Sequence, residues 1–549
     1  SRKTHSDMTA VEGLLSMAVL KDKCLPQATH QQIEHIHESL LFYDEHTFGA
    51  SESVSDPLCE NSQVQWGEKS AYAWEAVKRT QMLYETSVGL LQGDLRRGKN
   101  PTLTIFNTLN WKRSEMLTVY IDFEVIPRNQ FFEITDFQGH SLKVQPIRYR
   151  REGCYYAIFA EDIPPMGYKT FEIVFKQPST DTGTITINNA SIENHFYKLQ
   201  LNPDKGTIQS LYDKELNCEL VDSSSPWELG AFIYEKLGNR DQLAQYRLDD
   251  YNRTGLSECR IIDSSNGPIY QRILLQGKSP GTDEAFGVNL EIKLYHDTKR
   301  IELEYAIKRL PETDPSGIYV AFPFQLPEGK LAFDVQGGTV ISGKNQLEGT
   351  STDWNTVQNF VSVQNNQAQI IIGSSLIPLY QLGDINLGKF QYQKQYERPH
   401  VYSWVMNNYW NTNFKASQEG EFRWSYHLTS SVDPSNNLAT KFGWSSRIPL
   451  YARVMPTGTE NHKPTEYSAF HFEKDNFLMT SCTPSKEEGY ILLNIREIDG
   501  KRTNLRILNE DGQTIPFTIV NAIEEKLENE TSEHIFEGYQ NKFIKIKRF

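Results

Sequence analysis

The stretch Pro101-Thr102-Leu103-Thr104-Ile105-Phe106-Asn107-Thr108-Leu109 is where the hydrophobic period of this chain changes. Before it, apolar residues recur at helical spacing. From Thr102 onward they alternate in the manner of strands, in segments rich in Ile, Val, Phe and Tyr. Upstream, Met8 to Leu20 is rich in Ala, Leu, Met and Val, and Gln31 to Tyr43 carries Ile33, Ile36, Leu40 and Leu41 near helical spacing. Gln63 to Leu91 is the clearest helix: Trp66, Ala73, Val77, Tyr84, Val88 and Leu91 make one apolar stripe. Gly93 and Asp94 end it. Three such helices predict a small bundle.

Downstream, Thr102 to Leu109, Met116 to Asp122, Tyr155 to Ala160 and Thr170 to Phe175 predict a small β-sandwich, with Asp136-Phe137-Gln138-Gly139 as a turn. Gln177 to Gly183 reads as a linker. From Thr184 to Ser430, strands such as Tyr197 to Leu201, Ile269 to Leu275, Val288 to Tyr295 and Ile301 to Lys308 alternate in period two, which predicts a large antiparallel sandwich. Val432 to Asn437 reads as a second linker, followed by strands such as Tyr490 to Glu497 with turns at Asp499-Gly500 and Asp511-Gly512. The expected fold class is mainly β: an N-terminal helical bundle, a small β-sandwich, then a large antiparallel β-supersandwich. The expected division is 1–98, 99–178, 184–430, and 431–549 completing the large sandwich.

The composition of the 549 residues sets bounds. This length predicts roughly three to five domains. A hydrophobic fraction of 38% with 12% aromatics supports large cores. A net charge of -14, spread along the chain, argues against nucleic acid as a partner. No apolar run approaches the ~20 residues that span a membrane, and the first residues carry no signal-peptide pattern. The compartment and the oligomeric state stay open. Cys24, Cys59, Cys154, Cys218, Cys259 and Cys482 show no CxxC pair, which disfavours a zinc knuckle, and most are expected to be buried free thiols. GxGxxG after a strand, GxxxxGK[ST], HExxH and GxSxG are all missing.

Two clusters carry candidate chemistry. Leu41-Phe42-Tyr43-Asp44-Glu45-His46-Thr47-Phe48-Gly49-Ala50 sets two carboxylates and an imidazole at the end of an apolar run, before a glycine turn. Such residues ligate metals or bind sugar hydroxyls; a solvated helix end has the same composition. His35 and His37 are two apart on a helix and do not share a face, so a solvated surface is the expectation for them. Val401 to Phe414 interleaves Trp404, Tyr409 and Trp410 with Asn407, Asn408, Asn411 and Asn413. Aromatic faces beside amides suit a pyranose; an aromatic sandwich core with Asn in its turns reads equally well.

Four further stretches, in order, resemble family 38 glycoside hydrolases, the class II α-mannosidases, in their C-terminal part. These are Thr102 to Arg113, Ile163 to Phe171, Ile192-Glu193-Asn194-His195-Phe196-Tyr197, and Gly206-Thr207-Ile208-Gln209-Ser210-Leu211-Tyr212-Asp213-Lys214. The resemblance implies a galactose-mutarotase-like supersandwich, with residues 1–98 covering the end of a catalytic domain and the bundle. It implies a retaining reaction on α-mannosides through an Asp nucleophile and a second carboxylic acid. It also implies Zn2+ in the full-length enzyme, with His46 as the last zinc ligand; Glu45 of the acidic cluster and Asn407, Asn413 and Trp410 of the aromatic-amide cluster are the candidate substrate-side residues. Thr47 departs from the family pattern, which has Asp there. The other ligands and both catalytic carboxylates belong to an N-terminal barrel for which no (β/α) alternation is found, so the chain by itself is expected to be inactive. A non-catalytic carbohydrate-binding protein and a glycoside hydrolase of another family are the alternatives.

Overall fold

The computed structural model describes residues 1–45, 48–177 and 190–549. The chain divides into two compact units. One is Ser1–Leu40, Trp74–Gly183 and Ile448–Phe549; the other is Leu41–Ala73 and Thr184–Arg447.

In the first unit, α1 (Arg2–Leu20) is buried along almost its whole length. Met8, Val11 and Leu15 pack against Ile33, Ile36 and Leu40 of α2 (Thr29–Asp44) and Ala76 and Leu83 of α3 (Glu60–Leu91). The opposite face, Leu14, Met17 and Ala18, packs against Phe477, Met479, Leu493 and Ile544. A helix enclosed on both sides needs apolar residues around its circumference, which is why α1 reads as rich in Ala, Leu, Met and Val rather than as a striped helix. Each fully buried Leu, Met or Ile there contributes about 1.5–3 kcal/mol.

The small sandwich forms from two antiparallel sheets. Arg113–Asp122, Gly153–Ile163 and Lys143–Tyr149 make one. Thr102–Asn107 is central in the other: it pairs with Gly167–Lys176 on one side and with Tyr451–Met455 on the other. All six of its residues are buried, as a strand covered on both edges and both faces must be. The sequence reading assigns 431–549 to the large sandwich; instead Ile448–Phe549 lies in the first unit. Its four-stranded sheet of Phe477–Pro484, Tyr490–Glu497, Asn541–Lys547 and Thr518–Val520 covers α1. The cause is the face of α1 that the bundle leaves open, which an apolar sheet face closes.

The second unit is the large antiparallel supersandwich. A nine-stranded sheet runs from Ser257–Asn266 to Gly338–Ile341, and a six-stranded sheet centres on Phe232–Leu237, Ser316–Phe322 and Val401–Asn407. A four-stranded sheet includes Tyr197–Asn202 and Thr207–Asp213. Leu199, Leu211, Phe232, Ile292, Leu303, Val320 and Tyr426 from all three sheets meet in one core. The second expected linker is partly helix: α4 (Asn436–Arg447) follows Ser435, whose hydroxyl accepts from the Leu438 amide as an N-cap does. Leu438, Ala439 and Phe442 then pack on Phe360 and Ile371.

The residues behind the family resemblance lock this fold. Asn107 is fully buried; it donates to the carbonyls of Trp111 (2.8 Å), Ile163 (3.3 Å) and Pro164 (3.1 Å) and accepts from the Leu109 amide. Asn194 accepts from the Phe196 and Tyr197 amides and donates to the Tyr295 carbonyl at 2.6 Å. Asp213 accepts from the amides of Glu215 and Leu216, from Ser430, and from Lys299 at 2.8 Å. All six cysteines are free, but only Cys154 and Cys482 are buried: Cys24, Cys59 and Cys218 fall in turns or at element ends, and Cys259 in the irregular start of the strand Ser257–Asn266. Among the described residues no helix is long and apolar enough to cross a membrane.

Candidate functional site

The acidic-histidine segment follows the C-terminus of α2, where the last carbonyls have no partner within the helix. Lys69, on α3, supplies one. Its ammonium donates to the carbonyls of Phe42 (2.6 Å) and Glu45 (3.1 Å) and to the Glu45 carboxylate (3.0 Å). Lys69 is 9% exposed, whereas the Glu45 side chain is 45% exposed. A cation is favoured at a helix C-terminus, so one side chain caps the helix and orients Glu45. Phe42 stacks on Tyr72 beside it, with ring centroids 5.3 Å apart. The sequence gives no signal for the cap, since Lys69 stands among other polar residues of α3.

From Phe48 onward, the chain is held by the loop that ends the aromatic-amide cluster. The Phe48 amide donates to the Asn413 carbonyl (3.0 Å), the Asn413 amide to the Ala50 carbonyl (3.3 Å), and the Thr412 hydroxyl to the Ser51 carbonyl (3.2 Å). Asn413 has φ 64°, a left-handed conformation that Asn tolerates better than most residues. The structure thus brings Asn413 to the segment that follows Glu45. Beside it opens a pocket of about 500 Å³ lined by Gly49, Leu58, Trp66, Pro311, Lys415 and Glu419. The Lys415 ammonium lies 3.9 Å from the Trp66 ring centroid, a cation–π contact that covers one face of the indole.

Asn407 lies in the strand Val401–Asn407, paired with Gly317. Among the described residues its Oδ1 is buried without a hydrogen-bond partner, as is Nη1 of Arg309. Both residues line a cavity of about 40 Å³, large enough for water or a hydroxyl. Trp410 is half-buried against Trp354 at 5.6 Å, and its carbonyl accepts from Arg240 at 2.6 Å. The rest of the cluster is core. Trp404 is 2% exposed and stacks on Tyr319, and Tyr409 is 1% exposed with its hydroxyl donating to the buried Glu235 at 2.6 Å. A sugar-binding face built on Trp404 is therefore excluded by burial.

His46 and Thr47 lie outside the described residues. Among the described residues no three His, Cys, Asp or Glu side chains form a group that could hold a metal ion. The described donors by themselves do not make a zinc site, which takes about four ligands. His35 is exposed, as expected, but His37 is not simply solvated: it pairs with Glu12 at 2.6 Å, which holds its pKa above the ordinary imidazole value.

Residues 1–91 match the alpha mannosidase middle domain and residues 192–390 match the glycosyl hydrolases family 38 C-terminal domain, together more than half of the chain. The chain belongs to glycosyl hydrolase family 38, of which it carries the middle and C-terminal domains. An α-mannosidase from Enterococcus faecalis V583 superposes on 100% of the chain and 66% of its own, with TM-score 0.75 and 13% identity. A family 38 glycosyl hydrolase from Enterococcus faecalis covers 100% and 69%, with TM-score 0.74 and 14% identity. At such identities the likeness shows the fold, and the chain spans about two thirds of the length of each. No curated protein matches it in sequence.

Proposed function

We propose that this chain is the C-terminal region of a retaining α-mannosidase-like glycoside hydrolase acting on the α-mannosides of glycans. On this reading, the segment from Glu45 to Ala50, with the loop from Asn407 to Asn413, forms one wall of the sugar site. The observation that carries it is the paired backbone contact of Phe48 and Ala50 with Asn413, in a chain with the middle and C-terminal domains of family 38.

Glu45, oriented by Lys69, offers carboxylate oxygens to sugar hydroxyls. Asn413 and Asn407 offer amides, and Trp410 an indole edge. Retaining hydrolysis needs two carboxylates about 5 Å apart flanking the scissile bond. This reading assigns both to a barrel domain, which the described residues do not form, and assigns His46 to zinc together with ligands of that barrel.

The test uses the purified chain and a fusion of a family 38 barrel domain to its N-terminus, assayed on p-nitrophenyl α-mannoside with zinc. The chain alone gives no turnover. The fusion hydrolyses the substrate, and His46→Ala abolishes this while Lys112→Ala, an exposed residue of the first unit, does not. Turnover by the chain alone would refute the division of labour. A folded fusion that is inactive, or is indifferent to His46→Ala, would refute the site.

A further inference from the structure

The pocket of about 500 Å³ beside Asn413 is not used by the α-mannoside reading. It lies wholly within the second unit, between the start of α3, the turn after Ala50 and the segments 311–313 and 415–419. Its walls are tied together. The Asn408 side-chain nitrogen donates to the carbonyls of Glu312 (3.1 Å), Asp314 (3.0 Å) and Ala416 (2.8 Å), and the Glu312 amide donates to the Ser417 hydroxyl (3.0 Å). Pro57 and Pro311 stiffen two of the lining segments, since the proline ring fixes φ. The cavity is therefore formed in advance of any ligand.

Most polar groups of the wall are already satisfied by neighbours. Lys415 pairs with Glu419 at 3.8 Å, so the two charges of the wall compensate. Ser62 donates to the Asp56 carbonyl (3.1 Å), Gln63 to the Leu58 carbonyl (2.8 Å) and Ser417 to the Glu419 carboxylate (3.1 Å). Two buried groups are left open. Ser53 is 4% exposed, and its hydroxyl has no hydrogen-bond partner among the described residues. Trp66 Nε1 is buried and equally without a partner there. An indole N–H can only donate, and a buried donor left unmade costs free energy that an incoming acceptor recovers.

These features specify a ligand. Compensated charges call for a neutral one. Leu58, Trp66, Ala416 and the two prolines give an apolar lining, and a cavity of this size with a few placed polar groups suits a ring-bearing small molecule. A pyranose needs partners for several hydroxyls, against two buried groups left open.

We propose that this pocket binds a neutral aryl group whose acceptor oxygen meets Trp66 Nε1–H and the Ser53 hydroxyl. The ring is either free or borne on a sugar as the aglycone of a glycoside. Binding there does not depend on the α-mannosidase reading.

Ligand-observed NMR titration of the full chain at neutral pH, with acetophenone, benzoate, 4-nitrophenyl α-mannoside and methyl α-mannoside, tests it. Acetophenone saturates with a Kd of about 1 mM or below, within the range for a ligand of its size. Benzoate binds at least about tenfold more weakly, because its charge finds no free partner in the wall. Methyl α-mannoside does not compete. Displacement of acetophenone by 4-nitrophenyl α-mannoside identifies a ring borne on a sugar, and failure to displace it identifies a free molecule. Ser53→Ala and Trp66→Phe each remove one hydrogen bond and weaken acetophenone by roughly three- to tenfold. Should either variant not fold, the wild-type chain labelled at its tryptophan nitrogens replaces it: one of the nine indole N–H resonances moves downfield as acetophenone saturates. Absence of saturation by acetophenone, equal binding of benzoate, unchanged affinity in either folded variant, or nine unmoved indole resonances would overturn the proposal.

Discussion

Replacing Lys69 with Met should release the end of α2 and the segment that follows it, while leaving the supersandwich intact. Met keeps the length of the aliphatic stem and a comparable helix propensity, so the change removes the ammonium and little else. What is lost is three charge-assisted hydrogen bonds, two of them to carbonyls at a helix terminus. A hydrogen bond to a charged group contributes about 1.5–3 kcal/mol, and a cation at a helix C-terminus about 0.3–1 kcal/mol. The carbonyls can partly rehydrate at a site where Glu45 is 45% exposed, so the expected net loss is about 2–3 kcal/mol. The ion pair with that half-exposed carboxylate accounts for no more than about 1 kcal/mol, because solvent screens it. Glu45→Gln should therefore cost much less than Lys69→Met. The loss is local to the end of α2, so the measurement is native-state hydrogen exchange, which reads local opening, rather than a melting curve. The reporter is the Glu45 amide, which is bonded to the Leu41 carbonyl. At 1.4 kcal/mol per tenfold, its protection falls by roughly 30- to 100-fold in Lys69→Met and by under about fivefold in Glu45→Gln. Equal effects of the two substitutions, or no effect of the first, would refute the capping role.

Asn107→Ala removes a fully buried amide that serves three carbonyls and one amide, and should destabilise the first unit by about 2–4 kcal/mol, read as a lowered unfolding midpoint; an unchanged midpoint would refute the lock. His427 is buried, accepts from Arg300 at 2.7 Å and stands 3.8 Å from Glu302, beside Lys293. Burial first, then Arg300, lowers its pKa to about 3. The unfolded imidazole takes its proton near 6.5 and the folded one does not. Its contribution to stability is therefore full above about 6.5 and is lost as pH falls towards 3, by at most about 1.4 kcal/mol per pH unit. His427→Gln keeps an acceptor for Arg300 and does not titrate. Urea midpoints of the variant should fall less steeply than wild type between about pH 6.5 and 4, while parallel curves would refute the assignment.

Most of the element types are legible from local periodicity. The change at Pro101, the helices around Met8–Leu20 and Gln63–Leu91, and strands such as Val288–Tyr295 and Tyr490–Glu497 all stand where the pattern puts them. The family resemblance is legible for a different reason. Asn107, Asn194 and Asp213 each satisfy several backbone groups at once, so a fixed residue type recurs at a fixed offset in the sequence. These residues hold turns and strands, which is why they reveal the fold more plainly than the site. The cluster from Val401 to Phe414 is ambiguous in sequence because burial, not composition, separates a core tryptophan such as Trp404 from a half-buried one such as Trp410.

The sequence by itself determined the helical start, the two successive β-rich regions and the family, because hydrophobic period and backbone-satisfying side chains act over a few neighbouring residues. Only the tertiary structure decided that Phe48 and Ala50 pair with Asn413, that Lys69 closes α2, and that Ile448–Phe549 folds with the first unit. Those contacts join residues distant along the chain. Their partners are chosen by which apolar faces and which backbone groups remain open once the local elements have formed, and no local pattern encodes that choice.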